Sequence, residues 1–163
     1  MYKNKKIIAF IPARKGSKRI KNKNGRLING KQLFEYSIEV AKSSKYIDKI
    51  IFSTDSKEWL EYAQKLGCEK NNLRPKSLSD DNARIIDAII YELENLHFKE
   101  YDAIVTLQPT SPYRSSELLD SAIEEYFKTE TSLITIVEAK EQPIFMRRIV
   151  DGKLVKIVSN TSD

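Results

Sequence analysis

Six cations fall within ten residues of this chain: Arg14, Lys15, Lys18, Arg19, Lys21 and Lys23. Gly16, Ser17 and Asn22 stand between them, and Asn24 follows. A glycine lets the backbone turn and approach a ligand closely, and successive N–H groups can form an anion-binding concavity. That combination is suited to holding a polyphosphate. A basic run taken alone is more often a solvated surface. These cations, however, come directly after an apolar run, Ile7 to Ile11, that reads as a strand buried on both faces and is stopped by Pro12. Ligands of parallel sheets bind beyond the carboxyl ends of strands. Two familiar phosphate motifs do not fit, because Gly16-Ser17-Lys18 lacks the distal glycine of a P-loop and no G-x-G-x-x-G follows the strand.

Other reactive side chains are sparse. Cys68 and His97 are each the single representative of their type, which excludes a disulfide framework, a cysteine-rich metal site and a Ser-His-Asp or Cys-His catalyst. His97 reads as a surface residue on or after a helix. Asp55, Asp80 and Asp81 are the local carboxylates able to reach a metal, and nothing in their spacing assigns them to one.

The elements that must position these residues alternate. Gln32 to Ser43 carries Leu33, Ile38, Val40 and Ala41 at helical spacing. Lys49 to Asp55 is a second buried strand. Asp55 or Ser56 can cap a helix running to Leu66, which Gly67 terminates. Asp81 or Asn82 is expected to cap a further helix with Ile85, Ile86, Ile89, Ile90 and Leu93 inward. Tyr101 to Leu107 is a third strand, Ser115 or Ser116 opens a helix through Phe127, and Ser132 to Val137 reads as a fourth strand. The expected fold is α/β: a three-layer α/β/α arrangement with a mainly parallel sheet and right-handed crossovers. Its polar strand ends, 13–24, 53–56 and 108–114, should gather on one edge. The tail, Ile144 to Val150 and Leu154 to Val158 around Asp151-Gly152-Lys153, reads as a β-hairpin. A lone hairpin is marginal in water and needs a surface to rest on. The expected division is a nucleotide-binding α/β domain over 1–139 and a projecting hairpin over 140–163.

At 163 residues the chain can bury a sizeable core, and 40% hydrophobic with 31% charged residues is ordinary for a globular protein. No apolar run approaches the roughly 20 residues of a membrane span, and the N-terminus lacks the apolar region of a signal peptide. A cytoplasmic location and no membrane partner are the expectation. The net charge of +5 permits nucleic-acid binding, but residues 13–24 carry no interleaved aromatics for base stacking, and no nucleic-acid partner is expected.

Five ordered blocks carry a resemblance: Ile11-Pro12-Ala13-Arg14-x-Gly16-Ser17-Lys18 with Lys23-Asn24, Asn29-Gly30-Lys31-x-Leu33, Ser53-Thr54-Asp55, Leu73-Arg74-Pro75, and Leu107-Gln108-Pro109-Thr110-Ser111-Pro112-x-Arg114. In these blocks the chain resembles the acylneuraminate cytidylyltransferases, the CMP-sialic acid synthetase family. The resemblance implies a Rossmann-like nucleotidyltransferase fold. It also implies transfer of CMP from CTP to the 2-hydroxyl of a nonulosonic acid with release of pyrophosphate, Mg²⁺ as cofactor, and a homodimer that exchanges a small projecting element, here the hairpin. By the same resemblance Arg14, Ser17, Lys18 and Lys23 would hold the triphosphate, with Arg14 and Lys23 as the catalytic pair. Asn24 would lie near phosphates and ribose, Arg74 and the backbone at Asn82-Ala83 would read cytosine, and Gln108 and Thr110 would face the acyl sugar.

Each residue has a plainer alternative. Arg74 could pair with Asp80 or Asp81, Asn24 could be a turn residue, and Gln108 to Pro112 could be an ordinary loop before a capped helix. The resemblance further implies a longer chain, with the family's metal-binding aspartates beyond Asp163, so the metal ligands stay unassigned. The rival expectation is a truncated paralogue that binds CTP or sugar without turnover, as a binding or assembly module. Arg84-Ile85 also stands where many members carry small hydroxyl residues near the base.

Overall fold

The computed structural model describes residues 1–17, 19–95, 100–138 and 146–156. The chain divides into two compact units, Met1–Thr131 and Ser132–Asp163.

The larger unit is built on β1 (Ile7–Pro12), whose first five residues are all buried. Parallel strands flank it on both sides, β4 (Lys49–Ser53) and β5 (Ala103–Thr106), in the order β4-β1-β5. Phe10 sits level with Ile51 on one side and Thr106 on the other. A strand's side chains alternate between faces, and the two faces of β1 meet different layers. Ile7, Ala9 and Ile11 join a cluster with Phe34, Ile38, Trp59, Leu60, Ala63, Leu119 and Ile123. These come from helices α1 (Leu33–Ser43), α2 (Lys57–Lys65) and α4 (Ser116–Thr129). Ile8 and Phe10, with Ile51, meet Ala88 and Ile89 of α3 (Ile85–Asn95) on the other face. The three-layer α/β/α expectation holds.

Local chemistry sets the helix ends. Glu35 accepts from the Gln32 N–H at 2.6 Å at the start of α1. Ser56 and Ser115 accept from the N–H groups of Trp59 and Leu118 and open α2 and α4. Between the basic loop and α1, a two-residue ladder pairs β2 (Leu27–Ile28) with β3 (Lys31–Gln32). Asn29 and Gly30 turn it with φ of 50° and 81°, the left-handed pair that a tight hairpin demands.

Two expectations for α3 are corrected. The inward face of α3 is not the isoleucine stripe, since Ile85, Ile86 and Ile90 are 40–49% exposed while Ala88, Ile89 and Glu92 are buried. The helix is turned so that Glu92 meets the polar end of β4, where Ser53 donates to it at 2.8 Å; a buried carboxylate needs that bond more than isoleucine needs cover. Nor does Asp81 cap this helix. Its carboxylate goes to Arg14, and Asp80 accepts the N–H groups of Asn82 and Ala83, both at 2.8 Å, ahead of the helix.

In the smaller unit, β6 (Arg147–Val150) and β7 (Lys153–Lys156) form the expected antiparallel hairpin, with φ of 49° and 74° at Asp151 and Gly152. The run 132–137 is not a strand: it pairs with no described strand, and Ile134, Ile136 and Val137 are 83–90% exposed. β-branched composition favours a strand only where a neighbouring strand supplies a ladder. Lys18, His97 and both outer ends of the expected hairpin lie outside the described residues. Among the described residues no helix is long and apolar enough to cross a membrane.

Candidate functional site

Pro12 ends β1 beside Ser53, the last residue of β4, and the Ala13 N–H donates to the Ser53 carbonyl at 2.9 Å. On the other side the Leu107 N–H donates to the Phe10 carbonyl at 2.9 Å. The carboxyl ends of the three strands thus lie together, and a cleft of about 670 Å³ opens beyond them. Arg14, Ser17, Lys23, Asn24, Arg74, Ala83, Gln108 and Thr110 line it. Residues as far apart in the sequence as Arg14 and Gln108, 94 positions, share this one surface.

The basic loop is pinned at several points. Asp55 accepts the Lys15 N–H at 2.6 Å. Asn24, 6% exposed, donates its side-chain amide to the Arg14 carbonyl at 3.1 Å. Asn22 turns through φ 53° into a 3₁₀ turn at Lys23–Gly25. Gly25 lies against the Trp59 indole so closely that a Cβ there would overlap the ring. Lys15 Nζ sits 5.6 Å from the Trp59 ring and 3.2 Å from Glu58. Asn24 is therefore more than a turn residue: it fixes the backbone of the residue whose guanidinium enters the cleft.

The second polar strand end, 53–56, plays a different part from the one expected. Ser53 and Thr54 are fully buried, and Asp55 braces the loop. The β4 end does not line the cleft; it holds the residues that do. Thr54 O accepts the Arg74 N–H at 2.9 Å, and Ser53 O accepts from Arg74 Nη2 at 2.6 Å. Arg74 is 5% exposed and its Nε has no hydrogen-bond partner. Burial pulls its guanidinium below the ordinary arginine value, while the charges of Asp55 and Glu92 oppose that shift.

Arg14 makes the ion pair that could have been Arg74's. Its Nη2 reaches Asp81 at 2.8 Å and its Nη1 donates to the Ser79 carbonyl at 3.3 Å. Both partners are about one-third exposed, so this is a pair in contact with solvent, worth about 0–1 kcal/mol. An entering anion can displace it. On the β5 side, Arg114 donates Nη2 to the Gln108 carbonyl at 2.8 Å and Nε to the Ser111 carbonyl at 3.1 Å. The loop that presents Gln108 and Thr110 is thus shaped by its own arginine. Asn82 stands outside the cleft lining, and the N–H groups of both Asn82 and Ala83 are occupied by Asp80. Any reading of a base there would use other groups or displace Asp80.

The cleft also takes in Arg19, Ile20, Leu78, Asp80, Asp81, Arg84 and Ile85. Arg19 was visible in the basic run. Leu78 carries no sequence signal, since the 3₁₀ turn at Lys76–Leu78 brings it in. Arg84 is held by Asp87 at 2.7 Å. Among the described lining residues, Arg14, Arg19, Lys23, Arg74 and Arg84 outnumber Asp80 and Asp81 by five to two, a field that attracts anions. Among the described residues no group of three or more His, Cys, Asp or Glu side chains is placed to hold a metal ion. Asp55, Asp80 and Asp81 each already serve a protein donor, so they do not make a ready ligand set.

The CMP-N,N′-diacetyllegionaminic acid synthase of Legionella pneumophila is 36% identical over 154 residues, covering 93% of this chain and 66% of its own length. The N-acylneuraminate cytidylyltransferase of Escherichia coli is 39% identical over 121 residues, 74% of this chain and 28% of that protein. The chain thus spans at most about two-thirds of the length of these curated relatives. Among solved structures, CMP:2-keto-3-deoxy-manno-octonic acid synthetase complexed with CTP superposes with a TM-score of 0.65 at 21% identity, over 77% of this chain and 48% of that one; this likeness is one of fold. The cytidylyltransferase family profile matches residues 8–161, and with strand ends, basic loop and cleft in the arrangement described, this chain belongs to the cytidylyltransferase family.

Proposed function

We propose that the cleft binds CTP and a nonulosonic acid and joins CMP to the sugar with release of pyrophosphate. The observation that carries this reading is the single cleft beyond β1, β4 and β5. It collects the basic loop, the buried Arg74, and Gln108 and Thr110, to which this reading gives the triphosphate, the base and the acceptor in turn. In the reaction the acceptor hydroxyl forms a bond to the α-phosphorus as the bond to the bridging oxygen of pyrophosphate breaks, and the hydroxyl proton passes to solvent water. Such chemistry asks the protein mainly for charge neutralisation and alignment. Arg14 and Lys23 supply the first, with Lys18 expected to join them. The pinned loop supplies the second. Arg14 exchanges Asp81 for phosphate oxygens when CTP enters.

Mg²⁺ is proposed as a companion of the triphosphate, since Mg²⁺ is commonly held by substrate phosphates with only one or two carboxylates; no step here is assigned to it. The names of the relatives span legionaminic and neuraminic acids, so the acceptor is proposed as a nonulosonic acid without choice among them. A homodimer is proposed through the hairpin, where Ile149 and Leu154, more than 70% exposed, stand opposite each other across the ladder. A cytoplasmic location, where CTP is made, completes the reading.

Calorimetric titration with CTP, with and without Mg²⁺ and with ATP as control, tests the site. Pyrophosphate release on adding a nonulosonic acid tests the reaction. Micromolar CTP binding with ATP rejected, followed by release, is expected. Binding without release would leave a binding module, and equal affinity for ATP would remove the cytidine assignment.

A further inference from the structure

Glu92 lies on α3 where the helix meets the sheet and is 1% exposed. A carboxylate in such a place is costly unless it is paired and hydrogen-bonded. Burial pushes its pKa above the ordinary glutamate value, with Ser53, Asn71 and the Arg74 charge pulling the other way. Both oxygens are engaged: Ser53 Oγ donates to Oε1 at 2.8 Å and Asn71 Nδ2 to Oε2 at 3.1 Å. Asn71 also donates to the Phe52 carbonyl at 3.3 Å, which ties the 71–74 stretch to β4.

Ser53 joins this network to the cleft. Its hydroxyl serves Glu92, and its carbonyl accepts from Arg74 Nη2 at 2.6 Å. Asn71 and Arg74 belong to the same short stretch. A chain of contacts therefore runs from α3 through the end of β4 to the arginine in the cleft. Arg74 is almost fully buried, with one hydrogen bond to a neutral carbonyl and an unpartnered Nε. A cation so placed needs nearby counter-charge; Asp55 supplies the larger part and Glu92 acts on it in the same sense.

We propose that Glu92 is a positioning residue, whose buried carboxylate acts through Ser53 and Asn71 to hold the Arg74 guanidinium in one geometry for the incoming nucleotide. The proposal rests on the cleft binding a cytidine nucleotide. Glu92 touches no substrate in this scheme; its effect is felt only through Arg74.

The test is a two-residue cycle with a second, nucleotide-independent readout. Glu92→Gln keeps the side chain's size while removing its charge. CTP is titrated calorimetrically into the parent chain, Glu92→Gln, Arg74→Lys and the double variant, with thermal melting to verify folding. Glu92→Gln should weaken CTP binding about tenfold where Arg74 is present, and by less than about twofold where it is lysine. Equal weakening on both backgrounds overturns the proposal. In ¹H–¹⁵N spectra without nucleotide, the Arg74 Nε–H signal should be sharp and slow to exchange in the parent, and should exchange about tenfold faster in Glu92→Gln. An unchanged signal overturns it too. If the parent chain binds no CTP, the cytidine reading fails while the Arg74 signal still decides the role of Glu92. Should Glu92→Gln not fold, Glu92→Asp, which keeps the charge and shortens the reach to Ser53, carries the same two readouts.

Discussion

The cleft has two unlike walls. The basic loop, 13–25, is fastened to the core by Asp55, by the buried Asn24 amide and by Gly25 seated on Trp59. The opposite wall, 78–85, is fastened chiefly to itself: Asp80 takes two N–H groups of its own turn, and Arg14 of the loop reaches it through the one-third-exposed Asp81 pair and the Ser79 carbonyl. Fixed donors on one side and an exchangeable counter-ion on the other would, on the proposed reading, make a site pre-arranged for phosphate without being blocked by its own charge. Preorganised charge costs no rearrangement when the ligand arrives. On the same reading, the less firmly fastened wall would adapt to the base and sugar that enter.

The contrast is broken most severely at Gly25. In Gly25→Val the new side chain must displace the Trp59 indole, an overpacking that costs about 1–3 kcal/mol of stability, and the misplaced loop should weaken CTP binding by about 100-fold. Cys68 offers a check on the same variant. It is buried in the cluster that contains Trp59, and burial pushes its thiol up to about 12, so alkylation at pH 8 is slow in the parent and should speed up in Gly25→Val. Unchanged binding and labelling would show that the loop is not held by this contact.

Arg14→Ala removes the cation without disturbing the pins. A hydrogen bond to a charged group is worth about 1.5–3 kcal/mol, so CTP affinity should fall roughly 10- to 150-fold with the melting temperature nearly unchanged. An unaltered affinity would remove Arg14 from the site. Asn24→Ala leaves every charge in place and frees the Arg14 carbonyl. Titration should show a loss of about fivefold to tenfold, the effect of one neutral hydrogen bond. A loss as large as that of Arg14→Ala would mean that Asn24 touches the ligand itself.

The loose wall should respond least. Asp81→Asn releases Arg14 from a solvent-exposed partner worth about 0–1 kcal/mol. CTP should bind up to about fivefold more tightly at low salt, and the gain should shrink as salt screens the pair. Weaker binding would show that Asp81 contributes directly to the ligand, as a carboxylate on a metal–triphosphate complex would.

Much of this architecture can be read from the chain. Ile7 to Ile11 form a central strand because five successive apolar residues have no stable place except between two covered faces. Ser56 and Ser115 start helices because their hydroxyls reach an N–H three residues on. Asp151-Gly152 turns a hairpin because both positions adopt positive φ. Asn29-Gly30 carries the same signal over a shorter ladder. Misreadings arose where a local pattern depended on a distant partner. The run 132–137 is rich in β-formers, yet no described strand pairs with it. The isoleucines of α3 have helical spacing, yet Ser53 and Asn71, 39 and 21 residues away, decide which side of that helix turns inward.

The sequence by itself determined the alternation of elements and the basic loop at the end of its first strand, because periodicity, caps and turns act over a few residues. The tertiary structure alone decided how those residues work. It gave Asp81 to Arg14 and not to the helix cap, made Asp55 a brace for the loop, and set Glu92 behind Arg74. Such pairings depend on which surfaces the parallel sheet brings together and on the need of every buried charge and polar group for a partner, and neither is written in any local stretch of the chain.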